Sequence, residues 1–407
     1  MLQPNGNAAP VLAKEEGPFD VLTVARRLAA AFASRADEAD RSGRMPADDI
    51  AELKASGYLA LNVPTEFGGQ GLGMADSLAA HLILAQGSAS TALVAAMQMQ
   101  IFGHAQDVGH WANDRFEHFC RAAVRGELFN AAASEPALGS PSRGGSFHSR
   151  AVPNPEGAGW RLTGHKTWVT GGRYLDNILV RFSTEVPEAE PFTADFLITQ
   201  DLPGVRWAET WQDSLSLRAS ESHDLYLDEV IVSPANLIDR GKSQKQHHPN
   251  AWFPMTISTT YLGAAVAARN AVIRYALERV PTALGRSIST LPKIQRQIGE
   301  IDLALQAAQA LLFQVARRWD QEPDQRAAIY PHVVAAKHLA VETASTVTEK
   351  ALRVAGGIAI THALPLERYF RDVQAGSMQP PSGDTALEMI GRNAIEAIEC
   401  RVSSNSG

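Results

Sequence analysis

The sequence predicts an α+β fold: an N-terminal helical domain, a central β-sandwich or barrel domain and a C-terminal four-helix bundle. Three observations carry this expectation. Phe19 to Leu128 repeats apolar residues at three- and four-residue spacing, as amphipathic helices do. The next hundred residues turn to short β-branched and aromatic runs bounded by glycine and asparagine. From Trp252 onward, three stretches are each long enough for helices of ~30 Å or more at 1.5 Å per residue. A block of strands between two helical blocks gives the expected divisions: a flexible tail at 1–18, a helical domain at 19–128, a β domain at 129–238, a linker at 239–250 and a helical bundle at 251–407.

The elements follow in order. Met1 to Pro18 mixes Pro, Gly, Asn and charge without an apolar signal-peptide core, and reads as a loose tail. "VARRLAAAFASRADEADRSG" and "MPADDIAELKASGYLAL" are helical, the second opening on Pro46 with Asp48 and Asp49 beside the N-terminal dipole. "NVPTEFGGQGLGM" breaks the helices with four glycines, and the long, small-residue stretch from Ala75 reads as a buried helix pair. "GWRLTGHKTWVTGG", "DNILVRFST", "ADFLITQDLPGVRW" and "HDLYLDEVIVSP" are strand-like. "DRGKSQKQHHPN" is the polar exit, and its His247-His248 pair reads as solvated. The three alanine-rich helices that follow complete a bundle with a last helix, which Asp384 is expected to cap.

At 407 residues, 45% hydrophobic and 20% charged, the chain has room for a sizeable core in two or three domains. A net charge of -7 argues against nucleic acid or an anionic membrane as the main partner. Two cysteines, Cys120 and Cys400, match no metal or disulfide framework, so a reducing cytoplasm is expected and no metal. No apolar run approaches the ~20 residues that span a bilayer.

No P-loop, nucleotide-binding strand-GxGxxG-helix unit, HExxH or GxSxG is present, and the residues show no ready catalytic constellation. Two stretches go further. "ASEPALGSPSRGG" (133–145) gathers hydroxyls and glycines at the mouth of the β block, offering N–H and Oγ donors to a polar ligand. "KTWVTGG" (166–172) alternates, which would put Trp168 and Thr170 on one side of a strand, an indole and a hydroxyl for a flat heteroaromatic ring. An ordinary core tryptophan is equally open on the residues alone.

With "LALNVPTEFGGQGLGMADS", "ASEPALGSP", "GWRLTGHKTWVTGG", "DSLSLRASESHDLYLDEVIVSPANLI" and "RVAGGIAITHALPLERYFRDV" in this order, the chain resembles the acyl-CoA dehydrogenase superfamily nearly end to end. The resemblance implies FAD, with FMN or a reduced flavin as variants, lodged between the β domain and the bundle of a homodimer or homotetramer. Residue by residue it implies flavin contacts from Ser134, Ser140, Trp168 and Thr170. Gly356 and Gly357 match the turn that receives a neighbouring subunit's adenine half. Ser382 and Asp384 match positions that also reach the cofactor.

The same resemblance exposes departures in "RDVQAGSMQPPSGDTALEMIGR" (371–392). The family's catalytic Glu falls on Pro380, which has no proton acceptor. The other family position for a base falls on Phe253, with Pro254 in place of an arginine, and an FAD-anchoring arginine is replaced by Pro281, with Arg286 nearby. Flavin monooxygenases of this fold often carry Ser-x-His where this chain reads Ser377-Met378-Gln379. The leading expectation is an acyl-CoA or acyl-carrier dehydrogenase-like oxidoreductase, passing hydride to flavin N5 with no catalytic residue assigned. Asp384 reads as a cap and Glu388 as a helix-face residue. The alternatives are a two-component flavin monooxygenase fed by a reductase, and a non-catalytic flavin-binding homologue.

Overall fold

The structure, a computed structural model, describes residues 19–109, 111–138, 147–240 and 249–404. Helix α1 (Val21–Ser42) begins at Asp20, whose side chain accepts from Leu22 N, and stops at Gly43 with φ 64°. Its apolar positions Val24, Ala25, Leu28, Phe32 and Ala36 recur at helical spacing and are buried. The short α2 (Ala47–Ala55) and α3 (Met74–Leu84) follow. α4 (Ala89–Val108) is apolar nearly all round and therefore central, and α5 (Asn113–Val124) closes the first block.

Eight strands come next: β1 (Phe129–Ala132), β2 (Arg150–Pro153), β3 (Trp160–Val169), β4 (Asn177–Thr184), β5 (Phe192–Ile198), β6 (Val205–Ala208), β7 (His223–Val232) and β8 (Leu237–Arg240). They form one hydrogen-bonded path, β6-β7-β3-β2-β4-β5-β8, with β1 pairing parallel to β4. The path has two ends, so among the described residues it is an open sheet rather than a closed barrel. Among the described residues its two halves are joined in register through β2, which pairs with β4 at Arg150 and Ala151.

The C-terminal helices are α6 (Trp252–Glu278), α7 (Pro292–Gln321), α8 (Arg326–Ala355), α9 (Leu366–Asp372) and α10 (Gly383–Ser404). α6, α7 and α8 pack on one another, and α10 lies against α8. The helical blocks are locked together around Asp107 of α4. Its carboxylate accepts from Trp252 Nε1 (2.8 Å) and Trp319 Nε1 (2.7 Å) and pairs with Arg326 (2.8 Å). α4 and α6 approach so closely that a Cβ on Gly103 would lie 2.2 Å from the Trp252 ring.

The N-cap of α3 is Gly73, which has no side chain with which to cap the helix. Asp320 of α7 supplies the cap, accepting from Met74 N (2.7 Å) and Ala75 N (2.9 Å). Asp320→Ala should cost about 1–2 kcal/mol, the usual value of an N-terminal cap, read as a lower urea midpoint by circular dichroism.

The last helix corrects one expectation. α10 begins at Gly383, so Asp384 lies in its first turn and is exposed, while Ser382 stands before the helix and its carbonyl accepts from Ala386 N (2.8 Å). Asp384 still suits the helix dipole there. The His247-His248 pair lies outside the described residues.

Candidate functional site

The site is built outward from β3. Lys166 and Glu135 are both fully buried, and Lys166 Nζ donates to Glu135 Oε1 at 2.5 Å. Glu135 also accepts from His148 N (2.6 Å) and Ser149 N (3.1 Å). Burial works to raise its carboxyl, but the hydrogen bonds from Lys166 and Ser149 prevail and hold it below the usual carboxylate range. Burial lowers the Lys166 ammonium to about 8. The pair fastens the Ser134-Glu135-Pro136 loop to β3, and Thr167 N donates to Ser134 O at 3.0 Å.

Beyond Lys166 the strand loses its alternation. The register against β7 slips between Lys166 and Val169, and Trp168 takes φ 59°. The bulge turns Trp168 outward, 58% exposed, whereas Thr170 is buried, with its Oγ1 paired to Ser222 Oγ at 2.9 Å. Trp168 and Thr170 therefore do not share a side, contrary to the period-2 reading. Thr167, which lines the same cleft as Trp168, is 8% exposed, and among the described residues its Oγ1 takes no partner.

Trp168 and Thr167 line a cleft of about 590 Å³ with Pro136, His165, Trp211, Ser214 and their neighbours. His165 stacks on Tyr226 (4.1 Å, 15°) and its Nε2 donates to Asp224 Oδ2 at 2.7 Å, with Thr210 Oγ1 donating to the other oxygen at 3.1 Å. The opposite wall, 210–217, is fixed where Trp211 N donates to His223 Nδ1 (3.2 Å) and Trp211 Nε1 to Leu217 O (2.9 Å).

That wall joins the β domain to the C-terminal loop. Ser216 Oγ donates to Asp372 O (2.6 Å), Leu217 N to Asp372 Oδ1 (3.1 Å) and Ala375 N to Ser216 Oγ (3.3 Å). Asp372 is buried, and burial pushes its carboxyl up to about 6 against the pull of Arg368. The chain then turns through 373–377 to Gln379 and the cis-linked Pro380-Pro381. Lys337 of α8 reaches this turn, giving Nζ to Gly376 O and Gln379 O, each at 2.9 Å. Tyr261 of α6 donates its hydroxyl to Gln379 Oε1 at 2.9 Å.

The structure distributes the sequence-predicted residues widely. Trp168 lines the cleft and Ser134 lies half-buried beside it, while Ser140 falls outside the described residues. Gly356 and Gly357 form an exposed turn at the end of α8, 356 − 337 = 19 residues from Lys337, or roughly 28 Å along the helix. Ser382 and Asp384 start α10. Sequence reasoning missed Thr167, His165, Lys337, Tyr261 and the Glu135–Lys166 pair. A signal for Lys337 was present: a lysine inside the apolar run "VVAAKHLA".

Three family patterns tile this fold: the acyl-CoA dehydrogenase N-terminal domain at residues 20–115, its middle domain at 130–230 and its C-terminal domain at 255–379. YdbM of Bacillus subtilis (strain 168), which carries an acyl-CoA dehydrogenase name, is 35% identical over 371 residues, covering 91% of this chain and 95% of its own. The chain belongs to the acyl-CoA dehydrogenase family. FMN-bound TdsC from Paenibacillus sp. A11-2 has the same fold, with TM-score 0.81 and 24% identity over 91% of this chain and 96% of its own. So does butyryl-CoA dehydrogenase from Megasphaera elsdenii, at TM-score 0.78 and 20% identity over 94% and 100%. This is a family of flavoprotein oxidoreductases, with FAD or FMN as cofactor. No described helix is long and apolar enough to cross a membrane, and no group of three or more His, Cys, Asp or Glu among the described residues could hold a metal.

Proposed function

We propose that this chain is a flavin-dependent oxidoreductase that binds its ring against Trp168 and oxygenates its substrate, rather than removing a proton beside a thioester. The residues fit a flavin. An exposed indole offers a stacking face, the orphaned Thr167 hydroxyl and the Ser134 loop offer polar contacts, and the cleft has the volume of ordinary ligand pockets. Reduced flavin there would supply two electrons to molecular oxygen, one atom entering the substrate and the other leaving as water.

The observation that carries the reading is the C-terminal loop. Val373 to Gly383 contains neither an acid nor a histidine, and the side chain that meets Tyr261 of α6 is the neutral amide of Gln379. An amide cannot accept a proton at neutral pH, so this loop can donate hydrogen bonds but cannot act as a base. The neighbouring carboxylates are committed elsewhere: Asp372 is buried against Leu217 N, and Asp384 and Glu388 are exposed on α10. A flavin reductase would supply the electrons, and the exposed Leu387, Ile395 and Ile398 of α10 would face another subunit of a homo-oligomer.

A thioester dehydrogenase is the second reading, favoured by the 35% identity to YdbM. It requires a base from outside 373–383.

Titration of the purified chain with FMN and FAD, followed by tryptophan fluorescence, tests the flavin site. Trp168→Ala should weaken binding about tenfold, the value of one lost aromatic stack, and reduced holoenzyme should react directly with oxygen. Unchanged affinity in the variant, or no binding by the wild type, overturns the reading.

A further inference from the structure

Lys337 and Tyr261 lie on different helices, and both spend their polar atoms on the same four-residue turn. Lys337 is 2% exposed and, among the described residues, faces no carboxylate within ion-pair distance; its ammonium is used on two backbone carbonyls, those of Gly376 and Gln379. Burying a lysine this way is unfavourable, and burial brings its ammonium down to about 8. A methionine would fill the same apolar space without that cost, so bulk alone does not account for the lysine. Tyr261 is completely buried, and burial pushes its phenol far up, so it remains a donor at every working pH. Its ring also shapes the turn. A Cβ on Gly376 would lie 2.8 Å from Tyr261 Cδ2 and 2.9 Å from Val341 Cγ1, so only glycine lets the turn sit this close.

The consequence falls on Gln379. Lys337 pins its backbone carbonyl and Tyr261 donates to its side-chain Oε1, so Lys337 holds the turn and Tyr261 holds the oxygen end of the amide. Among the described residues Nε2 takes no partner, and the side chain is half-buried.

We infer that Lys337 and Tyr261 are positioning residues that hold the Gln379 amide as a fixed hydrogen-bond donor to an oxygen acceptor beside the flavin. The acceptor is a carbonyl, or an oxygen atom gaining negative charge; the amide stabilises that charge and transfers no proton. The inference rests on the flavin site proposed above.

The test uses holoenzyme with reduced flavin, mixed with molecular oxygen in stopped flow. Gln379→Glu keeps the acceptor for Tyr261 and replaces the donor by a second acceptor, so reoxidation should slow about 100-fold, as when one preorganised donor is lost. Tyr261→Phe frees the amide to rotate and should slow it about tenfold. Both variants should bind flavin within about twofold of the wild type. Lys337→Met should leave the fold intact but raise amide hydrogen exchange at Met378 and Gln379 at least tenfold, a readout independent of activity. Wild-type reoxidation rates in both Gln379→Glu and Tyr261→Phe, or unchanged exchange in Lys337→Met, overturn this inference while the flavin site stands. A wild-type chain that binds no flavin overturns the underlying reading instead.

Discussion

Lys166→Met lowers the stability of the chain by about 3–5 kcal/mol, because it leaves Glu135 buried without its counter-charge. Two backbone N–H groups, from His148 and Ser149, remain on the carboxylate and limit the loss without cancelling it. Removing both charges is the informative control. The double variant Glu135→Leu with Lys166→Met should recover most of the stability, since an apolar pair of similar volume avoids both desolvation penalties. The pH dependence has a definite sign. Glu135 is held below its ordinary 4.5, so its stabilising contribution is present above that value and is lost as pH falls through the lower folded value. The wild type should therefore show an acid-side loss that the double variant lacks. Urea midpoints measured from pH 3 to 7 check both statements. The cleft should suffer with the pair, because Ser134 and Pro136 are held beside Trp168 through Glu135.

Asp372 gives the second large effect, with the opposite sign. Its carboxyl is raised from 3.8 to about 6, mainly by burial, and Asp40 nearby adds to the rise. Arg368 (3.8 Å) and Arg371 oppose it, as does the hydrogen bond from Leu217 N. A folded value above the unfolded one means that the folded chain binds the proton more readily between the two. Stability is therefore greatest below about 4 and declines as pH rises through 6. A displacement of 6 − 3.8, about 2 pH units at ~1.4 kcal/mol each, is worth roughly 3 kcal/mol at most. Asp372→Asn keeps an acceptor for Leu217 N and removes the titration. Its unfolding free energy should lose the decline between pH 4 and 6 that the wild type shows. A variant with the wild-type slope would assign that slope to another group.

The sequence made the architecture legible because each block keeps one hydrophobic period for long enough to be read. α1 buries Val24, Leu28 and Phe32 as its spacing requires, and the change of character near Phe129 marks the first strand. The site was legible only in part. "KTWVTGG" pointed to Trp168, but period-2 reasoning put Thr170 on its side of the strand, where the structure buries Thr170 and exposes the indole. A register slip with a positive φ at Trp168 depends on β7 across the sheet, which local sequence does not encode. Glu135 and Lys166 are 31 residues apart and meet only once the sheet forms. Asp384 is a strong capping residue, yet the helix starts one residue earlier, so its carboxylate acts from the first turn. Lys337 was overlooked for a different reason. A lone charge on a long helix normally points to solvent, and only tertiary packing against the 376–379 turn reveals what it holds.

The most direct measurement is anaerobic mixing of the flavin-loaded chain with acyl-CoA thioesters of graded length and branching, followed at the flavin absorbance. With the ring placed as proposed and no acid between Val373 and Gly383, the colour should persist with every thioester, and added reductase should bleach it. Rapid bleaching by any one thioester would mean that a base reaches its α-carbon, and would contradict the account.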